Sequence, residues 1–238
     1  MSRVGNFSSS QIYKLMSKGR GNWSLENTGK PFDTYIKEKA WERKLGRSLN
    51  KEVSARPISW GRLVEQQCFN LLSLNYSLVS KDRYAHKVYS DYWTGMPDLL
   101  TDEIVGDIKC PYTLTSFAEL LECLEDVELF KKIKPEYYWQ LVSNGILCNR
   151  DTAVIVIYVP YKKHLKDIKE LSEYSDDGIQ NQYAFINWAS DDELPYIPNE
   201  SDITDVNTLE FKIPQEDKEL LTERVKMAIE ELNKKLNK

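Results

Sequence analysis

The apolar and polar positions along the chain predict a mixture of helices and strands. Apolar residues at helical spacing predict helices over residues 11–16, 32–45, 57–74, 116–132, 135–147 and from 216 to the end. Apolar or alternating runs predict strands over residues 84–91, 96–100, 104–110, 153–159, 183–188 and 209–213. This order predicts a single domain of the α/β (α+β) class, with a central mixed β-sheet flanked by helices.

The composition is that of a globular protein. The chain has 238 residues, of which 41% are hydrophobic and 29% charged, so an extended disordered chain is excluded. No apolar run approaches the roughly 20 residues that cross a bilayer, and the polar start of the chain lacks a signal-peptide core. We therefore expect a cytoplasmic protein without membrane association. The four cysteines are widely spaced, which predicts reduced, mostly buried thiols.

The charge is distributed unevenly along the chain. The net charge is −5, yet residues 1–62 contain 13 Lys and Arg against 5 Asp and Glu. A basic segment on an acidic body indicates a localised phosphate-binding surface. A solvated helical surface explains the same excess equally well.

Two acids and a lysine are gathered in the predicted hairpin of residues 96–110. A turn near residues 101–103 places Asp98 opposite or diagonal to Asp107, and like charges at such positions repel. Asp107 and Lys109 are two residues apart and share one face of their strand. A divalent cation such as Mg²⁺ would remove the repulsion, because it prefers carboxylate oxygens. The alternative is a surface hairpin in which Asp107 simply pairs with Lys109.

Further candidate residues lie on the predicted helices. Glu65 borders an apolar helix face, where a carboxylate needs a partner, and Gly61 one turn earlier leaves room for a close approach. Tyr137 and Gln140 combine an aromatic ring with an amide, which suits contact with DNA near a reaction site. The alternatives are an exposed boundary glutamate for Glu65 and the polar rim of a core cluster for Gln140.

A serine run near the start of the chain is a candidate phosphate site. The hydroxyl and backbone N–H groups of Ser8, Ser9 and Ser10 stand at a predicted helix start, where anions bind. Lys18 and Arg20 are nearby cationic candidates. An ordinary helix cap followed by exposed basic residues is the alternative.

Together these segments resemble a known family. GMPDLL (95–100) followed by GDIKCP (106–111) resembles the PD…(D/E)xK signature of restriction-enzyme-like nucleases. The flanking WGRLVE (60–65) and YYWQL (137–141) narrow the resemblance to the YqaJ-type viral recombinases, the family of phage lambda exonuclease. SSSQIYKLM (8–16) and TYIKEKAWERKLG (34–46) also look like N-terminal regions of phage members. The resemblance covers roughly residues 8–160, with Asp107 where glutamate is commoner.

The resemblance implies a restriction-endonuclease-like core and a metal-dependent deoxyribonuclease. It implies one or two Mg²⁺ or Mn²⁺ ions held by Glu65, Asp98, Asp107 and the Ile108 carbonyl. Lys109 would orient or activate the attacking water, and Gln140 would help to position it. The implied activity is 5′→3′ digestion of double-stranded DNA in recombination, with a single-strand annealing protein as partner and, by analogy, a trimeric ring of subunits.

The single domain is expected to have three parts, and rival functions stay open. We expect residues 1–56 to form a basic helical part, 57–160 the catalytic core, and 161–238 strands and a helix of unassigned role. One rival is a site-specific or structure-specific endonuclease on the same fold. Another is a catalytically silent DNA-binding module, against which the intact acids and lysine argue. CRISPR-adaptation-type nucleases generally carry a four-cysteine iron–sulfur cluster, which this cysteine spacing does not fit.

Overall fold

A four-stranded mixed sheet forms the centre of the computed structural model, which describes residues 4–22, 24–49, 55–75, 87–174 and 182–237. The strand order is β4-β5-β6-β7, with bounds β4 Leu99–Leu100, β5 Ile104–Lys109, β6 Thr152–Tyr158 and β7 Val206–Lys212. Strands β5 and β6 run parallel, and both edge strands pair antiparallel to their neighbours. The predicted mixed sheet is therefore confirmed. Strand β6 contains no charged residue, as expected of a strand covered on both faces.

Helices cover the two faces of this sheet. Their bounds are α1 Lys30–Leu45, α2 Arg56–Asn75, α3 Leu114–Glu122, α4 Val127–Ile133, α5 Pro135–Cys148, α6 Leu165–Tyr174, α7 Ala184–Trp188 and α8 Gln215–Leu236. One apolar cluster joins α1, α5 and α8 to the face of β5 and β6 that carries Val105 and Ile155. A second cluster joins α2 and α6 to the opposite face, through Ile108 and Val156. Alternation along β5 thus sends neighbouring side chains to different helices.

A small three-stranded sheet connects the start of the chain to the core. Its order is β1-β3-β2, with bounds β1 Phe7–Ser8, β2 Lys87–Ser90 and β3 Trp93–Gly95. Strand β1 pairs parallel with β3, so that Ser8 lies opposite Thr94. A 3-10 helix, Ser9–Met16, follows β1 directly. This pairing holds the serine run against the residues that precede the Asp98 hairpin.

Two predicted elements are wrong. The single helix over residues 116–132 is broken into α3, a 3-10 turn and α4, because Asp126 leaves the helical conformation and its Oδ2 accepts a hydrogen bond of 3.0 Å from the Leu129 N–H. The same residue therefore ends one segment and caps the next. The strand predicted over residues 183–188 is the helix α7, since its apolar residues pack on α6 rather than on a sheet edge.

Other predicted elements need smaller corrections. The helix over residues 11–16 is a 3-10 helix that starts at Ser9 and has no side-chain cap. The strand over residues 96–100 shrinks to β4, and β3 just before it was not predicted. Of the strand over residues 84–91, positions 84–86 lie outside the described residues. Residues 209–213 do form part of an edge strand, β7.

Two further sequence expectations concern thiols and membranes. None of the four cysteines, all of which lie among the described residues, forms a disulfide; Cys68 and Cys123 are buried, and Cys110 and Cys148 are half-buried. No helix among the described residues is both long and apolar enough to span a bilayer.

Candidate active site

The β4–β5 hairpin brings the two predicted aspartates together. Leu99 pairs with Gly106 in antiparallel register, and the Asp98 N–H donates a 3.1 Å hydrogen bond to the Gly106 carbonyl. Continuing this register places Asp98 across from Asp107. Asp98 Oδ2 also accepts a 2.8 Å hydrogen bond from the Ile108 N–H, so its carboxylate is held against the strand that carries the second acid.

Asp107 and Lys109 point from β5 toward α5, where Gln140 meets both. Gln140 Nε2 donates to Asp107 Oδ1 at 2.7 Å, and Lys109 Nζ donates to Gln140 Oε1 at 3.5 Å. The Lys109 ammonium also forms an ion pair with Asp107 Oδ2. The ion pair of the alternative interpretation therefore exists, but it is not on the surface, since Asp107 is only 1% exposed.

Glu65 reaches the same place from α2. It lines a cavity of about 180 Å³ together with Asp98, Asp107, Ile108 and Lys109. The remaining lining residues are Ser8, Ser9, Ser10, Thr94, Gly95, Met96 and Gln140. A Cβ at Gly61 would meet only the Cys110 carbonyl, 4.0 Å away. The expected close approach at this glycine is therefore not needed to bring Glu65 to the cavity.

The electrostatics of the cavity favour a bound cation. Burial, followed by the charges of Asp107 and Glu65, raises the pKa of Asp98 well above its usual range. Burial alone would lower the pKa of Lys109, but the carboxylates of Asp107 and Asp98 outweigh it and raise the pKa, so this lysine stays an ammonium. Three carboxylates thus surround the cavity with one lysine ammonium among them.

These residues fit a divalent metal ion by their chemistry. Carboxylate and carbonyl oxygens are the ligands that Mg²⁺ and Mn²⁺ prefer. Burial is the largest cause of the raised pKa of Asp98, and the repulsion from Asp107 and Glu65 that adds to it is what a cation between the carboxylates would relieve. Within the described residues, no group of three His, Cys, Asp or Glu side chains is already arranged to hold a metal.

The predicted phosphate-binding residues divide into two groups. Ser9 and Ser10 line the cavity, and Ser9 is almost fully buried. The backbone N–H of the neighbouring Ser8 is already donated to the Tyr35 hydroxyl at 2.9 Å. Lys18 and Arg20 are exposed and line neither this cavity nor the one beside it. The structure therefore separates the basic candidates from the hydroxyl candidates.

A second, larger cavity of about 570 Å³ adjoins the first. The two share Glu65, Ile108 and Lys109, and the Tyr137 ring lines the larger one with its centroid 4.9 Å from Lys109 Nζ. Arg62 and Lys134 add positive charge to its lining. Sequence reasoning did not single out these two cations, although Arg62 lies within the WGRLVE segment and Lys134 directly precedes the proline that opens α5.

The fold itself has known relatives. No family model matches the sequence, and no curated protein matches it. Among solved structures, LHK-Exo in complex with dAMP aligns over 99% of this chain and 91% of its own, with a TM-score of 0.61 and 16% identity. The two proteins share one fold. LHK-Exo is also described as an alkaline exonuclease from Laribacter hongkongensis.

A second solved protein gives the same result. The phage-related exonuclease from Haemophilus somnus 129PT aligns over 96% of this chain and 94% of its own, with a TM-score of 0.63 and 16% identity. The predicted resemblance is thus confirmed at the level of the fold. The likeness extends beyond residue 160, where sequence reasoning found none, and takes in most of the C-terminal region.

Proposed function

We propose that this protein is a metal-dependent DNA exonuclease of the phage type, using Mg²⁺ or Mn²⁺. The observation that carries the proposal is the convergence of Glu65, Asp98, Asp107 and Lys109 on one cavity. The exonuclease fold of the solved relatives supports the same activity. Phosphodiester hydrolysis needs a positioned nucleophile and stabilisation of negative charge on the phosphate, and this cavity offers groups suited to both tasks.

The carboxylates and one carbonyl form the proposed metal site. Glu65, Asp98, Asp107 and the Ile108 carbonyl would hold one or two ions. A bound divalent cation lowers the pKa of water and polarises a phosphate oxygen. The hydrogen bond from the Ile108 N–H restrains Asp98, and the Gln140 amide restrains Asp107, so both carboxylates are oriented by hydrogen bonds from neighbouring groups.

Lys109 has an electrostatic role in this proposal. Because the neighbouring carboxylates raise its pKa, it is a poor proton acceptor at neutral pH. As an ammonium it stabilises the negative charge that develops on the phosphate and orients the attacking water by hydrogen bonding. Gln140 accepts a hydrogen bond from Lys109 while donating to Asp107, and therefore fixes the distance between cation and acid.

Double-stranded DNA is the proposed substrate, digested 5′→3′ in recombination. LHK-Exo has been solved with dAMP, a deoxynucleoside monophosphate, and its shared fold supports DNA as the substrate here. The positive excess of residues 1–62 supports backbone binding along the duplex. A trimeric ring and a single-strand annealing partner are further parts of the proposal and rest on the family resemblance alone.

A digestion assay tests the proposal. Linear duplex with 5′ phosphates and a closed circular duplex are incubated with the protein over a range of Mg²⁺ and Mn²⁺ concentrations. We expect metal-dependent release of nucleotides from the linear DNA only, and loss of the activity in Asp107→Ala and Lys109→Ala. Cutting of the circle would favour the endonuclease alternative. Digestion without added metal in the presence of EDTA, or full activity in both variants, would overturn the mechanism.

A further inference from the structure

A chain of three buried polar side chains ends at the cavity wall. Trp93, on β3, donates its indole N–H to Ser143 Oγ at 2.9 Å. Ser143, on α5, lies 2.8 Å from Ser9 by their hydroxyl oxygens. Trp93 and Ser143 are fully buried, and Ser9 lines the cavity. Three segments far apart in sequence therefore meet in one hydrogen-bonded chain, behind the cavity that holds the carboxylates.

The direction of this chain follows from donor chemistry. An indole N–H can only donate, so Ser143 Oγ must accept from Trp93. Among the described residues, the one acceptor within reach of the Ser143 hydroxyl hydrogen is Ser9 Oγ. Accepting from Trp93 leaves the Ser143 oxygen a second lone pair, so the direction of its contact with Ser9 follows from the buried Ser143 hydrogen: donating it to Ser9 is the arrangement that leaves no donor of this chain buried without an acceptor. In that arrangement the hydrogen of Ser9 has no acceptor among the described residues. It is free to point into the cavity.

Gly95 leaves space for the Ser9 hydroxyl. A Cβ built on Gly95 would lie 2.1 Å from Ser9 Oγ and 2.4 Å from Asn144 Oδ1, closer than real Cβ contacts allow. Gly95 ends β3, which pairs with β1 just before Ser9. The sheet pairing brings Ser9 to the cavity wall, and the missing side chain at Gly95 leaves room for its hydroxyl.

We propose, resting on the proposed function, that Ser9 donates a hydrogen bond to a phosphate oxygen of the DNA and that Trp93 and Ser143 are its positioning residues. A hydroxyl that already accepts a hydrogen bond is a stronger donor, because hydrogen bonds in a chain polarise one another. A donor oriented before the substrate arrives costs no reorganisation when it binds. If Ser9 instead donated its hydrogen to Ser143, its oxygen lone pairs would face the phosphate, and two negative groups would repel each other.

The test is a double-mutant cycle on digestion of linear, 5′-phosphorylated duplex at saturating Mg²⁺. Ser9→Ala, Ser143→Ala and Trp93→Phe are each expected to raise KM about fivefold to tenfold, the effect of one hydrogen bond of about 1 kcal/mol, with little change in kcat. When Ser9→Ala is already present, adding Ser143→Ala or Trp93→Phe should raise KM no further, because both act through the Ser9 hydroxyl. Ser143→Thr keeps a hydroxyl and should restore the wild-type KM.

The controls separate positioning from packing. Ser172→Ala removes another buried hydroxyl, on α6 and away from the cavity, and should leave KM unchanged. The proposal would be overturned if Ser143→Ala or Trp93→Phe raised KM further in the Ser9→Ala background. It would also be overturned if neither substitution changed KM on its own. In both cases metal-dependent digestion by the wild-type protein would still support the proposed function. If Ser143→Ala does not fold, the cycle of Ser9→Ala with Trp93→Phe tests the same coupling. Absence of metal-dependent digestion by the wild-type protein would instead reject the proposed function.

Discussion

Two buried charge clusters contact the α5 helix. They contain the same kinds of groups but differ in net charge and in access to a cavity. In one, Asp107 pairs with Lys109 and accepts a hydrogen bond from Gln140. In the other, Asp217 pairs with Lys131 and accepts a 2.5 Å hydrogen bond from the Tyr138 hydroxyl. Each cluster thus combines a carboxylate, an ammonium and a donor from α5, and the two donors are only two residues apart.

The difference lies in charge balance and access. Asp217 is 4% exposed, its two oxygens are both bonded by Lys131, and it lines neither of the two cavities at the candidate site. Asp107 lies beside two further carboxylates, Glu65 and Asp98, on the wall of a cavity. A balanced, closed cluster holds helices together, whereas an acid-rich cluster on a cavity is suited to bind a cation. Of these two clusters, the one whose charges do not cancel is therefore the candidate for function.

The largest expected effect comes from neutralising the acid of each cluster. Asp107→Asn should reduce kcat by about 10³-fold, because metal binding contributes several kcal/mol of transition-state stabilisation, with little change in the free energy of unfolding. Asp217→Asn should lower the free energy of unfolding by about 3 kcal/mol, because it leaves the Lys131 ammonium without its buried partner. Urea denaturation and single-turnover digestion measure the two quantities. Equal losses of stability in both variants would show that the Asp107 cluster is structural after all.

Removing the hydrogen-bond donors that α5 contributes, Gln140 and Tyr138, tests the same comparison, and we expect smaller effects than from neutralising the acids. Gln140→Met keeps the side-chain length but removes both hydrogen bonds, and should lower activity or metal affinity about 10-fold to 100-fold. Tyr138→Phe removes only the hydroxyl and should cost about 1–2 kcal/mol of stability while leaving the activity of the folded protein unchanged. The Mg²⁺ concentration at half-maximal rate, measured for both variants, reports the contrast. If Gln140→Met and the wild-type protein had the same activity and the same Mg²⁺ dependence, Gln140 would have no role in metal binding or catalysis.

Local sequence patterns predicted which acidic side chains meet at the cavity better than they predicted the small elements around it. The hairpin was predicted because strand alternation and a polar turn fix which residues face each other, and Asp98 and Asp107 then follow. The break at Asp126 was missed because the apolar spacing on either side continues the same helical face, whereas the cap depends on a single side chain. Residues 183–188 were misassigned because a short apolar run fits a strand and a helix equally well, and only packing on α6 decides.

Long-range contacts account for what sequence reasoning could not find. Ser9 was a candidate as one residue of a serine run, but its link to Ser143 and Trp93 joins positions 134 and 50 residues apart. No periodicity reports such a contact. Lys18 and Arg20 were chosen by closeness in sequence, and the chain carries them away from the cavity. Arg62 and Lys134 were overlooked because the second cavity arises only when α2 and the start of α5 come together.

The smallest expected effect concerns a third balanced cluster, at Glu42 on α1. Burial alone would raise the pKa of Glu42, but hydrogen bonds from the Gly5 N–H at 2.8 Å and from Lys39 at 2.9 Å outweigh it and lower the pKa. A carboxylate with a lowered pKa in the folded state stabilises the protein above the pKa of about 4.3 that it has when unfolded. That stability is lost as the pH falls through the folded pKa. Glu42→Gln should therefore be less stable than the wild-type protein by about 2 kcal/mol at pH 7, with the difference shrinking below pH of about 4.

Urea denaturation from pH 3 to pH 7 tests this prediction. Glu38→Gln is the matched control, because it removes a more exposed carboxylate from the same helix; the side chain of Glu38 is 21% exposed and that of Glu42 3%. We expect the control to follow the wild-type curve to within about 0.5 kcal/mol. Parallel pH curves for Glu42→Gln and the wild-type protein would mean that the carboxylate contributes nothing through its charge. Glu42 lies on α1 and lines neither cavity, so the Glu42→Gln variant should digest DNA at the wild-type rate. In this respect we expect the Glu42 cluster to behave like the Asp217 cluster and unlike the Asp107 cluster.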